Sequence, residues 1–265
     1  MPSPEAAPPD DPRLRGSRHR DPAAPTAGLD LIEIHAHLLP GIDDGCANLA
    51  ESLAVARHCV SLGYRHLVCT PHIWTDLPGN TRPAIERHVA DLQLTLNRAG
   101  IPLTLYPGGE VNLHRGLLDT DPATLPTFAS LGTHLLVDAW LWSWPDWLTP
   151  VLKHLQTGGR TVILAHPERL GLLQDDLDLV RRFLDLGVLL QGNLYCFADP
   201  PHEPTRQLAD RYLDDGLYFA LAGDLHRPDT LPGRVAGLQK VIDRIGLDGA
   251  VRLLRDQPST LLPRN

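Results

Sequence analysis

Methionine and lysine are nearly absent from this chain of 265 residues, which has one Met and only Lys153 and Lys240. Asp and Glu outnumber Lys and Arg, 32 to 24, for a formal net charge of -8. That balance excludes a general binder of nucleic acid or anionic membrane, which needs a basic field. No run approaches the roughly 18 to 20 apolar residues of a membrane-spanning helix. The first residues carry no apolar signal core, so a cytoplasmic protein is expected. Cys46, Cys59, Cys69 and Cys196 show no CxxC spacing, which excludes a zinc ribbon or redox dithiol and leaves reduced thiols.

Histidine is what the chain has in excess, with 13 residues. It is the commonest metal ligand and the usual acid or base near neutral pH, so its placement matters more than its number. Residues 1–28 are rich in Pro, Arg and Asp and poor in large apolar groups, so disorder is expected there, with His19 inside it. Residues 29–265 are long enough for one domain with a sizeable core.

Apolar runs at 31–34, 66–69, 103–106, 135–137, 161–164, 188–191 and 218–222 predict strands. Amphipathic stretches at about 48–62, 82–99, 146–157, 176–186, 203–215 and 233–245 predict helices between most of them. Asn48 with Glu51 reads as a capping-box variant, and Gly63 ends that helical run. Strands alternating with helices predict an α/β fold on a parallel sheet, open or closed into a barrel.

The polar residues gather where these strands end. His35 and His37 follow the first, with Asp43 and Asp44 soon after. His72 follows the second, Glu110 the third, Asp138 the fourth, His166 the fifth, and Asp224 with His226 the last. Six of the seven strands thus deliver a His, Asp or Glu at the C-terminal end, the face that carries active sites in parallel βα folds. Any one of them alone reads as a turn or core residue. Together they read as an imidazole and carboxylate mix suited to Zn, Mn or Fe, with donors for two or three divalent ions and Glu110 able to bridge a pair.

In order, the segments His35-Ala-His-Leu-Leu-Pro-Gly-Ile-Asp-Asp-Gly45, Cys69-Thr-Pro-His72, Pro107-Gly-Gly-Glu110, Ala165-His-Pro-Glu-Arg169 and Gly223-Asp-Leu-His226 resemble the PHP (polymerase and histidinol phosphatase) superfamily. More narrowly, they resemble its bacterial protein-tyrosine phosphatases from capsular and exopolysaccharide gene clusters, over about residues 29–262. The resemblance implies a distorted (β/α)7 TIM-like barrel, a trinuclear metal centre and, as substrate, the phosphotyrosines of a partner tyrosine autokinase. It also implies one metal on His35, His37, Glu110 and Asp224, a second on Glu110, Asp138 and His166, and a third on Asp44, His72 and His226. Two positions depart from the pattern. Asp138 stands where the family usually has Glu, and Leu231 stands where it carries an arginine, with Arg227 or Arg234 as the available substitutes.

In such a site the nucleophile is a metal-activated hydroxide. Arg169 neutralises phosphate oxygens, with Arg227 as a second candidate, and Asp224 or His226 protonates the leaving group. A phosphoesterase acting on a small molecule such as histidinol phosphate is the alternative. A metal-dependent amidohydrolase fits less well, because both lysines fall in helical stretches and none follows a middle strand. A weakly catalytic metal-binding module that docks a kinase is the reading from another class.

Two further signals compete. His58 to Arg65 spells the HCx5R pattern of cysteine-dependent phosphatases, but Cys59 lies near a helix end with a strand after it, the reverse of a phosphate-cradling loop. Trp140, Trp142, Trp144 and Trp147 crowd the stretch after the fourth strand. A packed loop is the simpler account of them, and an aromatic rim for a phosphotyrosine ring or a partner chain is the other. His114, close to Glu110 in sequence, and His202 fall in loops.

Overall fold

The structure is a computed structural model that describes residues 26–176 and 178–264. Of the disorder expected over residues 1–28, residues 1–25 lie outside the described residues, while residues 26–28 form a turn. Thr26 is buried, and its hydroxyl donates to the Leu62 carbonyl at 2.7 Å.

All seven expected strands form, as β1 (Leu31–Ala36), β2 (Tyr64–Cys69), β4 (Thr104–Pro107), β6 (His134–Asp138), β7 (Thr161–Ala165), β8 (Leu189–Asn193) and β9 (Ala220–Ala222). Two short strands were not expected. After Thr70-Pro71 the chain resumes extended structure as β3 (His72–Ile73), and after Gly108-Gly109 as β5 (Glu110–Asn112). These two pair with each other, His72 opposite Glu110, so both residues are strand residues rather than turn residues.

Every pairing is parallel, and the order is β1-β2-β4 in one sheet and β3-β5-β6-β7-β8-β9 in the other. One parallel bridge, Ala36 to Leu225, links β1 to the chain leaving β9. On the other side the chain itself carries β2 into β3 and β4 into β5. The sheets therefore follow one another around a distorted barrel.

Helices cover the outside: α1 (Leu49–Ser61), α2 (Arg82–Arg98), α3 (Leu148–Leu155), α4 (Gly171–Asp175), α5 (Val180–Asp185), α6 (Pro204–Asp214) and α7 (Leu231–Val251). α1 starts where Asn48 Oδ1 accepts from the Glu51 N–H at 3.1 Å, while Glu51 reaches back to the Ala47 N–H at 3.0 Å. α2 buries Ile85, Val89, Leu92 and Leu96, a stripe at helical spacing. α7 is interrupted at Gly246, where φ of 74° is open to glycine at little cost.

The strands are largely apolar on both faces because both are covered, as the four buried residues Val162 to Ala165 of β7 illustrate. Ile32, Ile34, Val68, Leu136, Ile163, Ala220 and Ala222 form an inner core with Phe128 and with Leu261 and Leu262 from near the C-terminal end. The barrel is thus filled with side chains rather than hollow.

The HCx5R segment serves the core. Cys59 is 1% exposed on the buried face of α1, and Arg65 donates to the carbonyls of Val60 and Tyr64. Burial pushes the Cys59 thiol well above its usual range, so it is not a thiolate nucleophile at neutral pH.

Candidate metal centre

His35 and His37 stand two residues apart on β1 and the residue after it, and so point to one side. His35 Nε2 lies 3.3 Å from both Glu110 Oε2 and Asp224 Oδ1, and His37 Nε2 lies 3.5 Å from the same two oxygens. The two imidazole nitrogens are 3.2 Å apart. His166 Nε2 meets the other oxygen of Glu110 at 3.0 Å. His72 spans the next position, with Nδ1 2.9 Å from Glu110 Oε2 and Nε2 3.2 Å from Asp44 Oδ1, which also lies 3.5 Å from His226 Nε2.

All nine expected donors therefore converge. Four sets have ligand atoms within 4.8 Å of one another: His37, Asp44, His72 and His226; His35, His37 and Asp224; His35, Glu110 and His166; and His72, Glu110 and Asp138. The expected trio of Glu110, Asp138 and His166 does not stand as one such set. Asp138 groups with His72 and His166 with His35, and Glu110 is common to both. Asp138 is the short arm here, and its Oδ1 accepts from Asn112 at 3.1 Å.

The donor set fits divalent ions. Glu110 Oε2 and His72 Nδ1 are buried 2.9 Å apart, yet neither is in hydrogen-bonding geometry with any partner among the described residues. Such unsatisfied buried atoms are costly unless a cation takes their lone pairs. Burial alone would raise the Glu110 and Asp224 carboxyls, but the charge of His35, joined by the neighbouring imidazoles, outweighs it and holds both well below the usual range. By the same pairing His35 and His37 are raised despite burial, and His72 is raised to about 9. Burial pushes Asp138 up to about 6.

A second ring of side chains aims these ligands. His37 Nδ1 donates to Asp43 Oδ2 at 2.8 Å, and His35 Nδ1 donates to Gln191 Oε1 at 2.7 Å, which leaves each Nε2 facing the cluster. Asp43 also accepts from the His72 N–H at 3.1 Å and the Gly45 N–H at 3.0 Å. Asn193 Nδ2 donates to Asp224 Oδ2 at 3.0 Å. Glu33 lies under the site, accepts from the N–H groups of His35 and Gly223, and is raised by burial to about 7. Sequence reasoning missed Gln191 and Asn193 because the sixth expected strand delivers no acid or histidine.

Backbone strain concentrates at the same place. His166 and Asp224, each directly after its strand or one residue beyond, have φ of 33° and 49°, left-handed values that non-glycine residues rarely adopt.

Arg169 Nη1 donates to Asp224 Oδ2 at 3.0 Å, and its other guanidinium nitrogens have no partner among the described residues. Arg227 is exposed and paired with Asp229 at 3.5 Å. Arg234 instead donates to the carbonyls of Gly223, Asp224 and Thr230, behind the ligand turn. Asp224 was also expected as a proton donor. Its ionised carboxylate already accepts from Arg169 and Asn193 and faces three imidazoles, so it is placed as an acceptor. The tryptophans divide: Trp144 and Trp147 pack on the core, while Trp140 and Trp142 are 66% and 79% exposed. His114 is a cap whose Nδ1 accepts from the Gly116 N–H, and His202 pairs with Glu203 on the surface.

The family model for capsular polysaccharide synthesis, CpsB/CapC, matches residues 31–263. The chain is 28% identical over 202 residues to tyrosine-protein phosphatase YwqE of Bacillus subtilis, covering 76% of this chain and 79% of that one. It is 25% identical over 240 residues to tyrosine-protein phosphatase CpsB of Streptococcus agalactiae, covering 88% and 98%. Among solved structures, one from work on YwqE of B. subtilis and CpsB of Streptococcus pneumoniae, described as unique metal-dependent tyrosine phosphatases, superposes with a TM-score of 0.78. It is 25% identical and covers 87% of this chain and 94% of that one. A Listeria monocytogenes lactonase, Lmo2620, shares the fold alone, with a TM-score of 0.52 and 12% identity. With the match spanning the whole barrel and every motif on its C-terminal face, this chain belongs to the CpsB/CapC family of capsular polysaccharide synthesis.

Proposed function

We propose that the chain is a metal-dependent phosphatase that removes phosphate from protein phosphotyrosine, with two or three divalent ions (Mn, Fe or Zn) as cofactors. The observation that carries this reading is the pair Glu110 Oε2 and His72 Nδ1, buried face to face without a hydrogen bond in the midst of seven other donors. The relatives named tyrosine-protein phosphatases support the substrate class. Divalent ions bound there supply the charge that neutralises phosphate and activates water near neutral pH.

The ligands in this reading are His35, His37 and Asp224 at one position, His72, Asp44 and His226 at another, and His166 with Asp138 on either side of the shared Glu110. Arg169 binds the phosphate, because its guanidinium reaches Asp224 and keeps further N–H groups to offer. Asp224 holds Arg169 in place. His226 is left as the side chain to assist the departing phenolate, whose pKa near 10 demands little help. The substrate protein is a tyrosine autokinase of capsule or exopolysaccharide assembly, met in the cytoplasm. Among the described residues no helix is long and apolar enough to cross a membrane.

The test is hydrolysis of a phosphotyrosine peptide and of histidinol phosphate by protein loaded with Mn. Turnover of the peptide is expected, abolished by chelator and by Glu110→Ala and retained in Cys59→Ser. Activity that survives chelation, or preference for histidinol phosphate, overturns the reading.

A further inference from the structure

The cluster opens into a cavity of about 580 Å³ that shares Asp224 and His226 with it and is bordered by Arg169, Tyr195, Gly233 and Arg234. Tyr195 gives this cavity an aromatic wall. The residue is 45% exposed, yet it is held in place. The Tyr195 N–H donates to Asn193 Oδ1 at 2.9 Å, and the same Asn193 holds Asp224. Gly233 leaves room for the ring, since a Cβ there would stand 2.6 Å from it, and the Arg234 guanidinium lies 5.5 Å from the ring centroid.

Trp140 reaches Arg169 from a different loop, its ring centroid 6.0 Å from the guanidinium carbon. That loop is tied to the segment bearing Arg169. The Leu172 N–H donates to the Leu141 carbonyl at 2.9 Å, and the Trp142 ring lies where a Cβ on Gly171 would stand 2.3 Å away. Two large rings thus stay exposed near the cluster, Trp140 beside Arg169 and Tyr195 on the wall of the cavity that Arg169 also borders, where a flat apolar group can cover them.

We propose that Tyr195 and Trp140 are specificity-determining residues that select aryl over alkyl phosphate monoesters. The inference rests on the phosphatase reading above. A phosphate held by Arg169 beside Asp224 leaves its ester group in the cavity, where a phenyl ring covers the Tyr195 face and meets Trp140. A phosphoserine methylene is too small to cover either ring.

The test uses the full chain loaded with Mn and two peptides of one sequence, carrying phosphotyrosine or phosphoserine. Tyr195→Ala and Trp140→Ala should each lower kcat/KM on phosphotyrosine about 3- to 10-fold, mainly through KM. Phosphoserine turnover should stay unchanged, and Tyr195→Phe and Trp140→Phe should restore the preference. Calorimetry should show phenylphosphonate binding tighter than methylphosphonate in the parent protein and losing that advantage in the Ala variants. Equal losses on both peptides, or an unchanged phenyl advantage, overturn the inference while leaving the phosphatase intact. A parent protein that does not turn over the phosphotyrosine peptide overturns the phosphatase reading and this inference with it.

Discussion

The imidazole of His37 has two nitrogens with different duties, and Asp43 decides between them. By accepting from Nδ1 at 2.8 Å it fixes the tautomer that turns Nε2 toward Glu110 and Asp224. It also tethers the His72 backbone, so one carboxylate orients two ligands. Partners of this kind are worth about 10- to 100-fold in metal affinity. Asp43→Ala should weaken Mn binding by that factor in a calorimetric titration, while far-ultraviolet circular dichroism shows the barrel intact. Unchanged affinity would mean that His37 is held by packing alone. The motif Asp43-Asp44-Gly45 was visible in the sequence and the family resemblance singled out Asp44 as a ligand, but nothing there assigned Asp43 its bracing role.

At the scale of elements, the strand ends were legible because a parallel βα pattern puts them on one face, whatever the loop lengths. Neither β3 nor β5 was, since two or three residues after Thr70-Pro71 or Gly108-Gly109 show no periodicity. The left-handed backbone of His166 and Asp224 was equally silent: His and Asp adopt it more readily than most non-glycine residues, but neither residue type marks the position by itself. β8 carried the quietest part of the site in Gln191 and Asn193, amides that hydrogen-bond His35 and Asp224 and set their angle. α1 offers a test of its own. His58 lies in its last turn, where a helix end favours a cation. Burial nonetheless lowers its pKa below 6.5, and its Nε2 is buried without a partner among the described residues. The folded chain then binds fewer protons at His58 than the unfolded chain, so this contribution to stability is present above pH 6.5 and is lost as pH falls toward the folded pKa. In excess chelator, the parent protein should lose more Tm than His58→Gln between about pH 7.5 and about pH 5.5. An equal loss would show that the site is not felt.

For the whole molecule, the C-terminal end matters more than its composition suggests. Leu261 is fully buried among inward-facing residues of both sheets and is part of the barrel's filling. Truncation of such a side chain typically costs about 2–5 kcal/mol. Leu261→Ala should show that loss in urea denaturation, and a negligible change would mean that the barrel interior collapses to fill the space. The charge of -8 also takes on a local meaning, because Asp44, Glu110, Asp138 and Asp224 converge with five histidines in one cluster, and all of the four but Asp44 are buried there.

The two places where the chain steps from one sheet to the other are buried at Thr70, Pro71, Gly108 and Gly109, and they lead directly into His72 and Glu110. New chain ends there would carry charge into the interior beside the cluster. A circular permutant opened at either crossing should therefore fail to fold, whereas one opened at the exposed Pro78-Gly79 turn keeps both crossings covalent. In this barrel, the points of strand discontinuity are the ones where the polypeptide must stay continuous.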